Sequence, residues 1–217
     1  NLQAGLGADG LNIVDMVVAD VDGYGGDDIV SLAFGRRDSA LPVPFSVSQR
    51  DVYVLVNRAA GFGGFESGTA YAMGVANEYT ISAGGLDVGD VDNDGDADIV
   101  IGLDQRLEIR TLLNDGNGAF PNQENTSVAK RPDGTVLLAD LTGDGFLDVA
   151  ATSRHGGLTM SMRGNGTGTF VPETDLVAPA PETVTAIDLA GVTHLVINRY
   201  LYGESAALQL WTRNPGD

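Results

Sequence analysis

The stretch DVGDVDNDGDADIVIGL, residues 87–103, sets five aspartates at alternate positions from Asp90 to Asp98. Gly95 stands sixth in that loop, and an apolar β-branched run follows at once. Alternate residues of a tight loop can aim their side chains at one centre, and a glycine permits the positive φ of a sharp turn. Ca2+ is a hard cation that takes 6–8 oxygens from carboxylates, carbonyls and water. Without a cation, carboxylates this close repel one another or take up protons. Asp90, Asp92, Asp94 and Asp98 therefore read as side-chain ligands at positions 1, 3, 5 and 9, with the main-chain carbonyl of Asp96 at position 7. An EF-hand would need a bidentate Glu at position 12 and flanking helices. Position 12 here is Ile101, and the flanks read as strands.

Working outward, the same grammar recurs. VVADVDGYGGDDIVSLAF (17–34) and LLADLTGDGFLDVAATS (137–153) align with it, and TAIDLAGVTHLVINRY (185–200) keeps the hydrophobic frame without the acidic loop. The leading aspartates Asp20, Asp90, Asp140 and Asp188 lie 70, 50 and 48 residues apart. The longer first interval holds Gly/Pro/Ser-rich stretches at 40–48 and 61–68. Each unit opens with an apolar run such as Met16–Val21 or Val136–Leu141, then the loop, then a β-branched run. A third run follows: Asp51–Val56, Leu107–Leu113, Leu158–Met162 and Leu208–Trp211. A Gly-rich turn ending in Phe comes next, as in NDGNGAF (114–120) and RGNGTGTF (164–170), before a fourth extended stretch. Short runs rich in Val, Ile, Leu and Thr between Gly/Asp/Asn turns predict strands, and no segment carries a sustained helical period. Four strands per unit of about 40–50 residues is the pattern of a β-propeller blade, whose faces must be covered by neighbours.

The fold class expected is thus all-β: a propeller of four-stranded antiparallel blades, about four in this chain. The units fall near 14–83, 84–130, 131–180 and 181–217, with 1–13 as a closing strand. Asn1–Ala4 resembles the fourth strand that should follow the turn begun at Asn214–Asp217. Either the termini meet to complete a four-bladed ring, or the chain is a portion of a larger one.

The other loops are variants of the second. Asp140, Thr142, Asp144, Phe146 (by its carbonyl) and Asp148 form the third set, in which a neutral Thr142 oxygen predicts weaker binding. Asp20, Asp22, Tyr24, Gly26 (by its carbonyl) and Asp28 form the first, where Tyr24 at position 5 offers only a main-chain carbonyl or a bridging water. Two to three calcium ions are expected. The fourth unit has Asp188 but no partners for it.

Composition agrees with this reading. The chain of 217 residues carries 30 acidic against 12 basic side chains, a net charge of −18, which disfavours nucleic acid and anionic membrane surfaces. It has no cysteine, so disulfides, thiolate metal sites and Cys nucleophiles are excluded. No apolar run approaches the roughly 18 residues that span a bilayer. The chain begins at Asn1 rather than Met, as a mature product or a fragment would.

DVDNDGDADIV, DLTGDGFLDVA and the NDGNGAF-type turns resemble the FG-GAP/VCBS repeats found in integrin α-chain propellers and many bacterial surface proteins. The resemblance covers almost the whole chain. It implies calcium in the hairpin between the first and second strands of a blade, and a ring of seven or eight blades in most members. It also implies service in adhesion, in sugar binding or beside polysaccharide-degrading enzymes.

The expected function is a secreted, cell-surface or periplasmic calcium-stabilised module that binds a protein or glycan or self-assembles, without catalysis. Further chain segments or other copies would complete its ring. A lectin would need an aromatic platform, for which Trp211, Tyr200, Tyr202, Tyr53 and Tyr71 are candidates, though none repeats at one position across the units. An enzyme would have only His155 and His194 as histidine bases, and no GxSxG or HExxH motif is present.

Overall fold

The structure, a computed structural model, describes residues 12–24, 26–36, 50–60, 64–66, 69–76, 83–177, 181–199 and 207–212. Asn1–Ala4, the insertion at 40–48, Gly25, Tyr200, Tyr202 and the turn at 214–217 lie outside these residues. The described part is all-β. Its one helix is the 3-10 turn Asp104–Arg106, and no described helix is long and apolar enough to cross a membrane.

Among the described residues eighteen strands follow one another. The first sheet holds β1 (Asn12–Ala19), β2 (Asp28–Arg36), β3 (Arg50–Asn57) and β6 (Thr69–Ala76), in that order and antiparallel throughout. Two short strands, β4 (Ala59–Ala60) and β5 (Gly64–Phe65), pair with each other between β3 and β6. The second sheet runs β7 (Leu86–Gly89), β8 (Asp98–Leu103), β9 (Glu108–Leu113) and β10 (Asn122–Ser127). The third runs β11 (Val136–Ala139), β12 (Asp148–Ser153), β13 (Leu158–Gly164) and β14 (Phe170–Pro172), with β15 (Leu176–Val177) also on β13. The fourth has β16 (Pro181–Leu189), β17 (Val192–Arg199) and β18 (Ala207–Thr212).

The sheets stack in a row, the first strand of each beside the first strand of the next. Strand β8 shows how the sequence demands this. All six of its residues are buried, because the two faces of the second sheet are both covered. Ile99 and Ile101 point into a core shared with Val30, Leu32, Val54 and Met73 of the first sheet. Val100, between them, points the other way, into a core with Val136, Val149, Met160 and Met162 of the third sheet. A strand covered on both faces reads as a continuous apolar run instead of an alternation. In β12, Val149 and Ala151 face the second sheet while Ala150 joins Val184, Leu195, Ile197 and Trp211 of the fourth. Period 2 thus distributes each central strand between two cores.

Carboxylates stitch the first strands together. Asp15 of β1 accepts a hydrogen bond from the Leu86 N–H at 3.1 Å, and Asp87 of β7 accepts one from the Leu138 N–H at 2.8 Å. The end sheets are covered on one side only. Met16 and Val18 on β1 are 50% and 59% exposed, and Leu208 and Leu210 on β18 are 74% and 54% exposed. Among the described residues the row does not close into a ring.

The first strands end two residues before the apolar runs Met16–Val21 and Val136–Leu141 suggest. Val21 and Leu141, with Val91 between, sit in the loops, yet they are only 2%, 6% and 3% exposed. They plug each loop into the core beneath it, which is why those runs look continuous.

Candidate metal centres

The three acidic loops join the first and second strands of the first three sheets. Each is built on the same clamp. The position 9 aspartate opens the second strand, is buried, and has both oxygens engaged by backbone N–H groups. Asp98 Oδ2 accepts from Val91 N at 3.0 Å and its Oδ1 from Asn114 N at 2.9 Å. Asp28 accepts from Val21 N at 3.0 Å and Ala59 N at 2.7 Å. Asp148 accepts from Leu141 N at 2.8 Å, Thr142 N at 3.0 Å and Gly164 N at 2.8 Å. One oxygen holds the loop shut and the other holds the turn that follows the third strand. Position 9 is therefore a structural residue as well as a potential ligand: each oxygen of Asp28 and Asp98 keeps a second lone pair for a cation, whereas in Asp148 only Oδ1 does.

Two triads come together. One oxygen from each of Asp90, Asp92 and Asp98 lies within 4.8 Å of the others, and the same holds for Asp20, Asp22 and Asp28. These clusters could hold a metal ion. Asp94 stands beside Asp92 but falls outside the triad; its Oδ1 accepts from Asp96 N at 3.0 Å. In the third loop Asp140, Asp144 and Asp148 do not gather three carboxylates that closely. Asp140 instead spends its oxygens inward, on Gly143 N at 2.7 Å and Gly145 N at 3.0 Å. The structure records no side-chain approach of Tyr24 to the first triad, and Tyr24 is 82% exposed.

Whether the residues suit a cation can be judged at Asp90. Its Oδ2 accepts from Gly95 N at 3.1 Å, while its Oδ1 is buried and accepts no hydrogen bond. A buried carboxylate oxygen without a donor is costly unless a cation meets it. The donor set is all oxygen, as a hard divalent ion requires. The electrostatics agree. Burial, with the charges of Asp92 and Asp94 added, raises Asp98 from the ordinary 3.8 to about 6, against the lowering effect of its backbone donors. Asp92 is raised by burial and by the Asp94 carboxylate, and Asp148 is raised chiefly by burial. The first triad has a competitor: Arg58 Nε lies 3.8 Å from Asp22 Oδ2.

Backbone strain marks the same loops. Gly95 and Gly145 at position 6 have φ of 98° and 89°. Position 4 is left-handed as well, in Gly23, Asn93 and Gly143 at 67°, 62° and 75°. That second requirement was legible, since Gly and Asn are the residues that tolerate such φ. The buried position 2 side chain was also legible, as Val, Val and Leu. The clamp of position 9 was not, because its partners Ala59, Asn114 and Gly164 offer only main-chain N–H groups, which leave no signature.

The two histidines are tied into structure. His155 Nδ1 pairs with Asp133, whose side chain is 1% exposed, and His194 Nδ1 lies 2.7 Å from Thr212 Oγ1. Asp133 was not singled out by sequence; it also accepts from Arg154 N. Of the aromatic candidates, Tyr71 meets Phe120 edge-on at 5.4 Å between the first two sheets, and Trp211 packs into the core between the third and fourth.

Residues 90–151 match a family model described as an FG-GAP-like repeat. The match starts on the leading aspartate of the second loop and ends within β12, just past the third loop. This stretch is similar to an FG-GAP-like repeat. No curated protein matches the chain.

Proposed function

We propose that this chain is a calcium-stabilised β-propeller module that works outside the cell as a non-catalytic surface for a protein or glycan partner. The observation that carries this is the Asp90–Asp92–Asp98 triad with its donorless, buried Asp90 oxygen. Three loops of one design, each between the first two strands of a stacked sheet, favour a repeated structural ion over a single catalytic one. Sites of this kind in extracellular modules bind calcium at about 10⁻⁴–10⁻³ M, the free concentration outside cells. The exposed apolar faces of the first and fourth sheets support further blades or other copies completing a ring.

At the opposite ends of the first strands, a polar cleft lined by Asp15, Gly85, Asp133, Thr135 and Arg154 brings three sheets together. It is the natural seat for a polar partner. The packed positions of Tyr71 and Trp211 favour a structural role for them over an aromatic sugar platform. The test is thermal unfolding in about 1 mM calcium against excess chelator. The proposal expects unfolding several degrees earlier in chelator; identical curves contradict it.

A further inference from the structure

We infer that Asn114 couples the first and second acidic loops, so that calcium in one raises the affinity of the other. The inference rests on the calcium reading above and adds a property that clustered carboxylates alone do not imply.

Asn114 begins the Gly-rich turn after β9 and is 7% exposed. Every polar atom of its side chain is used. Its Nδ2 donates to Val21 O at 2.7 Å and to Ala97 O at 2.8 Å. Its Oδ1 accepts from Gly116 N and Gly118 N, both at 3.1 Å, which locks the turn around it. Its main-chain N donates to Asp98 Oδ1. Val21 lies between Asp20 and Asp22, and its own N–H is held by Asp28. One amide thus touches the backbone of the first loop and both the backbone and a carboxylate of the second.

An ion drawing Asp98 toward Asp90 and Asp92 shifts the N–H that Asp98 holds. The locked turn passes that shift through the amide to the carbonyl between two ligands of the first loop. Hydrogen bonds in such a buried, fully satisfied network strengthen one another. By thermodynamic linkage the effect is reciprocal.

The third sheet supplies the contrast. Gly164 stands where Asn114 does, donating its N–H to Asp148. A Cβ there would lie 2.0 Å from Leu147 O, so the backbone has closed over the space that the amide fills in the second sheet. The second loop is met from the third sheet instead by the turn after β13, through Gly168 N to Val91 O at 3.2 Å, and Gly168 O is taken by Thr111 Oγ1 at 2.8 Å. No described side chain is seen to bond to both the second and the third acidic loop. Coupling is expected between the first and second loops and not through the third.

Tyr24 allows the first loop to be read alone: its main-chain N bonds to Asp22, so its ring is carried by the same loop and can pass excitation through space to bound terbium without touching the triad, and Tyr24→Phe is the control. Calcium is titrated against terbium in the full chain, in Asp90→Asn/Asp92→Asn and in Asp140→Asn/Asp144→Asn. Loss of the second loop should weaken calcium binding at the first by about 5-fold or more, the lower end of typical coupling. Loss of the third loop should change it less than about 2-fold. In Asn114→Gly, and in Asn114→Ala should the glycine variant unfold, removing the second loop should have no further effect on the first. Calorimetry on Asp20→Asn/Asp22→Asn should show the second loop weakened by the same factor, with Asn114 intact. An unchanged first loop in Asp90→Asn/Asp92→Asn overturns the coupling and leaves the calcium reading standing. Coupling that persists in both Asn114 variants overturns the assignment to this residue. A chain that binds neither terbium nor calcium overturns both readings.

Discussion

The hairpins that open the second and fourth sheets make the same connection by opposite means. Between Gly89 and Asp98 the chain detours through residues 90–97, crowding carboxylates at the tip. Between Leu189 and Val192 only Ala190 and Gly191 intervene, with φ of 57° and 78°. Two positive φ values in a two-residue loop match the right-handed twist of the strands it joins. Asp188 caps that turn by accepting from Gly191 N at 2.8 Å. The fourth hairpin shows that a sheet of this kind can turn its first corner without any charge cluster. The cluster in the second hairpin is therefore an added cost, which a bound cation would offset.

The comparison can be broken first at its clamp. Asp98→Ala orphans the buried N–H groups of Val91 and Asn114, and should destabilise the chain by about 3 kcal/mol in urea titration even with chelator present. Asp188→Ala, at an exposed turn, should cost less than about 1 kcal/mol. Similar losses for the two would dissolve the distinction between the hairpins. The next effect is calcium itself. At a free concentration 100 times the dissociation constant, one site adds about 2.7 kcal/mol, or about 5–10 °C of melting temperature for a chain this size. Asp90→Asn/Asp92→Asn should lose most of that increment, whereas Asp188→Ala should keep all of it.

Proton competition sharpens the contrast further. The folded-state value of Asp98, about 6, lies above its ordinary 3.8. Without calcium, folding therefore binds a proton between these values, so this contribution favours the fold at low pH and is lost as pH rises through about 6. Calcium must displace that proton. Its stabilising increment should be full above about pH 7 and fade as pH falls below about 6, as melting curves with and without calcium would record. The smallest effect belongs to Gly191→Ala. Forcing a Cβ into a left-handed position should cost about 1 kcal/mol, equally with and without calcium. A calcium-dependent loss there would mean that the fourth hairpin also answers to the ion.

Much of this was legible in the residues. The unbroken apolar run Ile99–Ile101 announced a strand covered on both faces, whereas the alternation around Leu208 and Leu210 did not announce their exposure, since it sets apolar side chains on the face that the structure leaves bare. The loops declared themselves by alternate aspartates with Gly at position 6. What stayed hidden were the partners in space. Nothing in the one-dimensional pattern ties Asn114 to Val21, since that contact joins neighbouring sheets through a backbone carbonyl that any residue would supply. The inward-turned oxygens of Asp140 were hidden likewise, because glycine N–H groups leave no mark on composition.

The most direct test of the central claim is a crystal structure grown in saturating calcium. The account predicts density midway among Asp90, Asp92 and Asp98, with six to eight oxygens at about 2.3–2.6 Å and Asp90 Oδ1 among them. Density there that refines only as water, with Asp90 Oδ1 still unengaged, would contradict it.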